Sequence, residues 1–457
     1  MVSSKISKTV DMCSERLNMR SKVNVPRATG IHHGTSATRI SQKSVTWGDE
    51  SIFVPLDENS RRVRIVGSNQ GSFQLNYNKQ KGEDMGIRML GVGNKVAGIV
   101  GGVLLVAGAA RCSAQDTTKG SQASKVDISG FVDAYYSENF AQPTSRTNKL
   151  RNFDIPENQF NLSLAEVVFQ KKAEPVGFRI DADYGTANDI VQPGVSSTAS
   201  LLQQAYLTAV VPVGSGLTID AGKFVTSMGY EVIESKDNAN YSRSLLFAWA
   251  IPYYHTGVRF GYTFSTSFSA TLHIVNGWNS VIDNNDSKSI GLMLTYTPVS
   301  TTSIILNVMG GHENLTPIEY GSRNVADLVT THQLSDAFTL GLNADYGEAQ
   351  TYAGLMLWKG AAIYGRYAIS DKTAFAARGE IFDDPQGYAL GLGPKSDVKE
   401  VTGTYEYKFA DALLLRGELR YDFSNVPAFD KKATSSSNGI GTEPTQLTFL
   451  VGAVVMF

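Results

Sequence analysis

Cysteine is scarce: the 457 residues hold two, Cys13 and Cys112, both in the first quarter of the chain. Once that quarter is removed, the remainder can form neither a disulfide nor a thiolate metal site. Charge is thin as well, at 18% of residues where soluble proteins carry about 25%. Only four histidines follow residue 115 (His255, His273, His312 and His332), without HxxxH spacing and without a carboxylate–histidine cluster. No metal and no cofactor are therefore expected. Nor is an enzyme: Ser242 and Ser244 near His255 could form a nucleophilic dyad, but a hydrogen-bonded wall histidine is the better reading. A basic surface is missing too. Residues 115–457 carry 25 Lys/Arg against 35 Asp/Glu, about −10, which argues against nucleic acid as a partner.

Long apolar runs are absent except for Val96–Ala110, whose fifteen residues at about 1.5 Å each cannot cross a ~30 Å hydrocarbon core as a helix. Arg88 and Lys95 precede this stretch, and Cys112-Ser113-Ala114 follows it with small residues. That layout is a secretory signal peptide over 85–114, cut after Ala114. Residues 1–84 are polar, carry 13 Lys/Arg against 8 Asp/Glu and show no sustained period. They are expected to be an unstructured extension or the product of a mis-assigned start. The mature chain is then 115–457.

What is plentiful is glycine, at 43 residues, with 20 Tyr and 21 Phe. These residues fall in segments that alternate with a period of two, the period of a strand. In Gly177–Gly185, Phe178, Ile180, Ala182 and Tyr184 share one face, and Arg179, Asp181 and Asp183 the other. In Leu413–Phe423, Leu413, Leu415, Leu419, Tyr421 and Phe423 oppose Arg416, Glu418, Arg420 and Asp422. About sixteen such segments begin near 125, 159, 177, 202, 217, 253, 268, 288, 303, 323, 338, 358, 373, 399, 413 and 445. Each supplies the ~9–11 residues that a tilted strand needs to span a bilayer. Short Pro/Gly/Ser/Asp turns alternate with longer loops at 138–157, 186–200, 225–252, 277–287, 312–322, 347–357, 383–396 and 424–444. The predicted fold is all-β: an antiparallel transmembrane barrel of about sixteen strands, with short periplasmic turns and long extracellular loops.

A soluble multi-sheet protein would alternate in the same way. The membrane is favoured by the export signal, by the lack of fully apolar strands to fill a large soluble core, and by aromatics at segment ends. Tyr135, Tyr184, Tyr206, Phe264, Trp278, Tyr296, Tyr346 and Phe423 are expected in the interfacial girdles. An arginine turned towards lipid costs about 2–4 kcal/mol near the midplane, so the charged rows must face the lumen. Glu166 and Lys223 fit the alternation poorly, as residues near a strand end or a bulge do. The last segment places Leu447, Phe449, Val451, Ala453, Val455 and Phe457 in one lipid-facing row. Its pairing with the first strand would close the barrel. Phe457 is also the aromatic that barrel-assembly machinery would read.

Gly222–Glu231 (GKFVTSMGYE), Tyr241–Gly257 (YSRSLLFAWAIPYYHTG) and Val275–Asn279 (VNGWN), with Phe131–Ser137 (FVDAYYS), resemble the OmpL-like β-barrel porin family over residues 125–457. The resemblance implies an outer-membrane channel. Residues 1–84 have no counterpart in it. By analogy with general porins, the third long loop, 225–252, would fold inwards and narrow the pore through Glu231, Glu234, Lys236, Asp237 and Arg243. Its apolar run Leu245–Ile251 suits a packed position better than a solvated one, although a loop folded over the mouth stays open at this point. The expected pore-lining residues are Arg179, Asp181, Asp183, Asp220, Arg259, Arg366, Arg378, Glu380, Arg416, Glu418 and Arg420. The acidic total leans faintly towards cations, and rows of opposite charge could equally pair across strands and only stiffen the wall. The expected function is passive diffusion of small hydrophilic solutes or ions through the outer membrane. A narrow or plugged barrel serving as adhesin or surface receptor is the alternative. A homotrimer and a monomer both remain open.

Overall fold

The computed structural model describes residues 41–47, 50–56, 62–66, 72–76 and 125–457, the last without 193–199, 314–318 and 394. The chain divides into two compact units, Met1–Thr117 and Thr118–Phe457. In the first, β1 (Ser41–Trp47) pairs antiparallel with β2 (Glu50–Leu56), and β3 (Arg62–Val66) with β4 (Ser72–Asn76). They are short, but β-branched and aromatic residues such as Val45, Thr46, Trp47, Ile52, Phe53 and Val54 recur in them. The proposed signal peptide, 85–114, lies outside the described residues.

The second unit is a closed barrel of sixteen strands in sequence order. These are β5 (Asp127–Asn139), β6 (Gln159–Lys171), β7 (Val176–Tyr184), β8 (Leu202–Val211), β9 (Leu217–Val225), β10 (Tyr254–Ser265), β11 (Phe268–Val275) and β12 (Ser289–Val299). They continue as β13 (Thr302–His312), β14 (Glu319–Gln333), β15 (Phe338–Thr351), β16 (Gly354–Ala368), β17 (Thr373–Asp384), β18 (Ser396–Ala410), β19 (Leu413–Ser424) and β20 (Thr445–Met456). A short helix, α1 (Thr186–Val191), lies between β7 and β8. Every neighbouring pair is antiparallel, and β20 closes on β5 from Thr448 against Asn139 to Met456 against Phe131. Beyond the last strand residue, Phe457 and Gly130 exchange backbone hydrogen bonds of 3.0 and 3.1 Å.

Alternation decides the facing. On β16 to β19 the outward positions Ile363, Ile381, Val401 and Leu419 are exposed, while Arg378, Glu400, Arg420 and their neighbours on the other face are buried. Polar rows therefore line the interior, and the apolar rows form the surface that lipid covers. Glu166 obeys this rule through a bulge. The β5–β6 register steps from Asp133 opposite Leu164 to Ala134 opposite Leu162, so Ser163 is the extra residue and Glu166 returns to the inner face. Lys223 is also buried: its ammonium donates to the Gln192 side chain and the Leu202 carbonyl and lies 4.4 Å from the centre of the Tyr254 ring.

Three of the expected girdle aromatics are interior. Tyr135 receives a hydrogen bond from Asn161, Tyr206 lies under Arg259, and Trp278 lies 3.8 Å from the Arg323 guanidinium. The expected loop 347–357 is also mostly strand, because β15 and β16 meet in the two-residue turn Tyr352-Ala353. Beyond the apolar band, a strand needs no apolar face, and alternation stops marking it there. β14, β16 and β18 begin earlier than their patterns suggest for this reason.

Candidate functional site

The interior is shaped by the third long loop, 226–253, which folds into the barrel. Its apolar run packs there: Leu246–Ala250 forms a single π-helical turn, and Leu245, Leu246, Phe247, Ala250 and Ile251 join Phe153, Trp358 and Phe382 in one buried cluster. The Trp358 indole donates to the Ala250 carbonyl at 3.0 Å. Burial of this run is worth roughly 1.5–3 kcal/mol per large side chain, which offsets the entropy of ordering so long a loop.

Polar wall groups hold the rest. Glu418 on β19 accepts the backbone N–H groups of Tyr241 and Ser242 at 2.6 and 2.9 Å, and the Thr404 hydroxyl at 2.7 Å. Glu380 on β17 does the same for Leu245 and Leu246, both at 2.6 Å. Between them Arg378 bonds Glu231 of the loop and Glu400 of β18, each at 2.6 Å, and the Ser242 carbonyl at 2.7 Å. Arg420 bonds Asp422 at 2.8 Å and the Arg243 carbonyl at 2.6 Å. Arg416 bonds Glu406 at 2.8 Å, the Asn238 carbonyl at 2.6 Å and the Ser235 carbonyl. An ionised carboxylate that accepts two adjacent N–H groups acts as a strong, directional clamp.

The same loop reaches the other walls. Ser235 and Tyr241 donate to Asp133 of β5 at 2.6 and 2.7 Å. Glu234 accepts from Gln203 of β8 at 2.5 Å. Gly229 N–H donates to Asp327 of β14 at 3.1 Å, and the Tyr230 ring stacks on Tyr364 of β16 with centroids 4.1 Å apart. Burial, then the nearby Glu231, raises the Tyr230 phenol above its ordinary range; burial, then Asp133, does so more strongly for Tyr241. Of the two, Tyr241 uses its hydroxyl as a donor, to Asp133. The loop thus spans the lumen from β5 and β8 to β14–β19.

The remaining candidates sit as follows. Arg179 pairs with Asp181 at 2.9 Å, Arg259 with Asp220 at 2.7 Å, and Arg366 with Glu406 at 2.7 Å. Asp183 is buried beside Glu166. Lys236 and Asp237 pair with each other at 2.5 Å, and Arg243 lies 4.5 Å from the Phe153 ring centre while donating to the Tyr241 carbonyl at 2.6 Å. Arg179, Arg259 and Arg366 stand apart from the Arg378–Glu380–Glu418 group that grips the loop. His255 contacts the Gly277 carbonyl and Thr226 at 3.2 and 3.3 Å, so its partners are not the two serines considered above.

Several residues escaped the sequence reading. Asp133 and Glu400 occupy inward positions, and strict alternation along β5 and β18 marks them once facing is fixed. Arg151 left no such signal. It lies on the first long loop and reaches Asp154 and Asp422, both at 2.7 Å, a contact that only the tertiary fold creates.

No curated protein matches the chain. Solved structures do, at low identity, and they establish the fold. The anion-selective porin of Comamonas acidovorans aligns with a TM-score of 0.53 at 12% identity, over 73% of this chain and 99% of that one. The outer-membrane channel DcaP of Acinetobacter baumannii gives 0.51 at 12% identity, over 74% and 99%. A trimer form of OmpT, an outer-membrane protein of Vibrio cholerae, gives 0.50 at 14% identity, over 73% and 99%. The pattern of a protein family matches residues 125–457, the whole of the barrel. The chain belongs to that family, the Putative beta-barrel porin-2, OmpL-like family, and is a porin-like channel of the outer membrane.

Proposed function

We propose that the protein lets small hydrophilic solutes or ions diffuse passively through its lumen, along a path narrowed by loop 226–253. The observation that carries this reading is the loop's attachment to charged groups on both sides of the barrel, Asp133 on one and Arg378, Glu380 and Glu418 on the other. Sixteen strands enclose a water-filled channel, and a loop clamped across it sets the aperture. The residues expected to line that path are the inward charges of β7, β9, β10 and β16–β19. A homotrimer fits the same reading, and cross-linking in native outer membranes tests it. Phe457 would serve the barrel-assembly machinery.

Burial of Glu231, Tyr241, Arg378 and Arg420 favours a second reading, in which the barrel is closed and acts through its outer loops as a receptor or adhesin. Purified protein in planar bilayers separates the two. Stepwise, ohmic conductance is expected, and its absence would leave the receptor.

A further inference from the structure

Below the loop, towards the short turns, lies a cavity of about 610 Å³ whose charged lining is Lys236, Asp237, Arg366, Glu406 and Arg416. Three cationic side chains there face two anionic ones. Two more ion pairs lie on the wall in the same half of the barrel. Arg179 is the fourth residue of β7, which starts just after a short turn, and Asp220 is the fourth residue of β9.

The wall pairs share one asymmetry. The Arg179 side chain is 32% exposed and Asp181 0%. Arg259 is 23% exposed and Asp220 12%. Arg366 is 42% exposed and Glu406 15%. In each pair the carboxylate is the more buried partner and the arginine the more exposed one, the Arg259 guanidinium lying over the Tyr206 and Phe224 rings. Further donors hold the acids in place: Gln204 donates to Asp181 at 2.5 Å, Thr208 to Asp220 at 2.6 Å, and Arg416 to Glu406 at 2.8 Å. Arg416 departs from the rule because loop carbonyls bury it. On the loop itself Asp237 is more exposed than Lys236. A solute in this half of the lumen therefore meets mainly guanidinium groups, although each pair is formally neutral. Guanidinium offers forked N–H donors that match carboxylate and phosphate oxygens.

We propose that the half of the lumen below the loop is an anion-selecting vestibule, in which Arg179, Arg259 and Arg366 favour small carboxylates, phosphates and inorganic anions over cations. The proposal rests on the channel reading above and names its solute class. It also opposes the lean towards cations suggested by the acidic total, because that total counts carboxylates the fold buries.

The test is the reversal potential of the purified, full-length protein in a planar bilayer under a dilute KCl gradient. The wild type should prefer chloride. Arg366→Gln should lower the chloride-to-potassium permeability ratio about threefold, the effect of one charge acting on both ions across ~8 Å of water-like medium with partial screening. That variant leaves Glu406 paired with Arg416, so no buried acid is stranded. Arg179→Gln is the second variant, with Asp181 still held by Gln204, and should shift the ratio the same way. Potassium preference in the wild type, or an unchanged ratio in both variants, would overturn the vestibule. Absence of any conductance would instead remove the channel reading on which it stands.

Discussion

Replacing Arg378 with methionine keeps most of the side-chain volume but removes the cation that bonds Glu231 of the loop and Glu400 of the wall, each at 2.6 Å. Glu400 keeps Arg420 at 3.6 Å and the Thr402 hydroxyl. Among the described residues Glu231 then keeps the Ser244 N–H at 2.6 Å and no paired cation, so one buried carboxylate has lost its counter-charge. Breaking a buried pair in this way costs about 3–5 kcal/mol, and release of the loop to water recovers part of it. At about 1.4 kcal/mol per factor of ten, the docked-to-released ratio should fall by roughly two to three orders of magnitude. Glu380 and Glu418 still hold two backbone N–H groups each, so the loop should make open excursions and not detach for good. Single-channel recordings should then show larger mean conductance and added current noise. The Arg378→Met/Glu231→Gln double variant should recover towards wild type, because it strands no charge on the loop. Equal conductance and noise in wild type and Arg378→Met would refute the latch.

Three other outcomes are expected. Phe457→Ala removes a ring that packs against Gly130, where an added Cβ would come within 2.6 Å of it. Outer-membrane levels should drop while the conductance of assembled barrels stays the same, and immunoblots of outer-membrane fractions check this. Ile363→Arg, on the exposed outer face of β16, should cost about 2–4 kcal/mol in denaturant unfolding from vesicles, and an unchanged unfolding free energy would show that this face does not meet lipid. Tyr241→Phe leaves Asp133 with Ser235 and loses the 2.7 Å bond, for about 1–3 kcal/mol and a lower heat-modifiability midpoint on gels.

The barrel was legible because its rule is local. Lipid outside and water inside impose a period of two on every strand, and a reader needs only neighbouring residues to see it, as in Phe178 to Tyr184. Legibility failed where that rule stops acting. Past the apolar band, Gly354–Leu357 and Ser396–Val398 form strand without an alternation to announce it. Tyr135, Tyr206 and Trp278 look like girdle residues because an aromatic at a strand end carries no mark of the side it faces. The loop's inward fold was suggested by the apolar run Leu245–Ile251, which has no reason to be apolar in water. Its partners were not readable: Tyr241 meets Asp133 across 108 residues, and Arg151 meets Asp422 across 271. Such contacts depend on closure of the ring, which no short stretch of sequence records.

The loop that crosses the lumen also has a mechanical meaning. An empty sixteen-stranded cylinder is a wall one strand thick, and lateral pressure flattens it easily by small changes of angle between neighbours. Here Asp133, Gln203, Asp327 and Arg378 fasten the same internal segment to widely separated points on the circumference. The segment behaves as a tie between opposing staves. A shift in bilayer tension that would ovalise an unbraced barrel must stretch these bonds first. Aperture and cross-sectional stiffness are thus set by one element, so a substitution that widens the passage should also soften the cylinder.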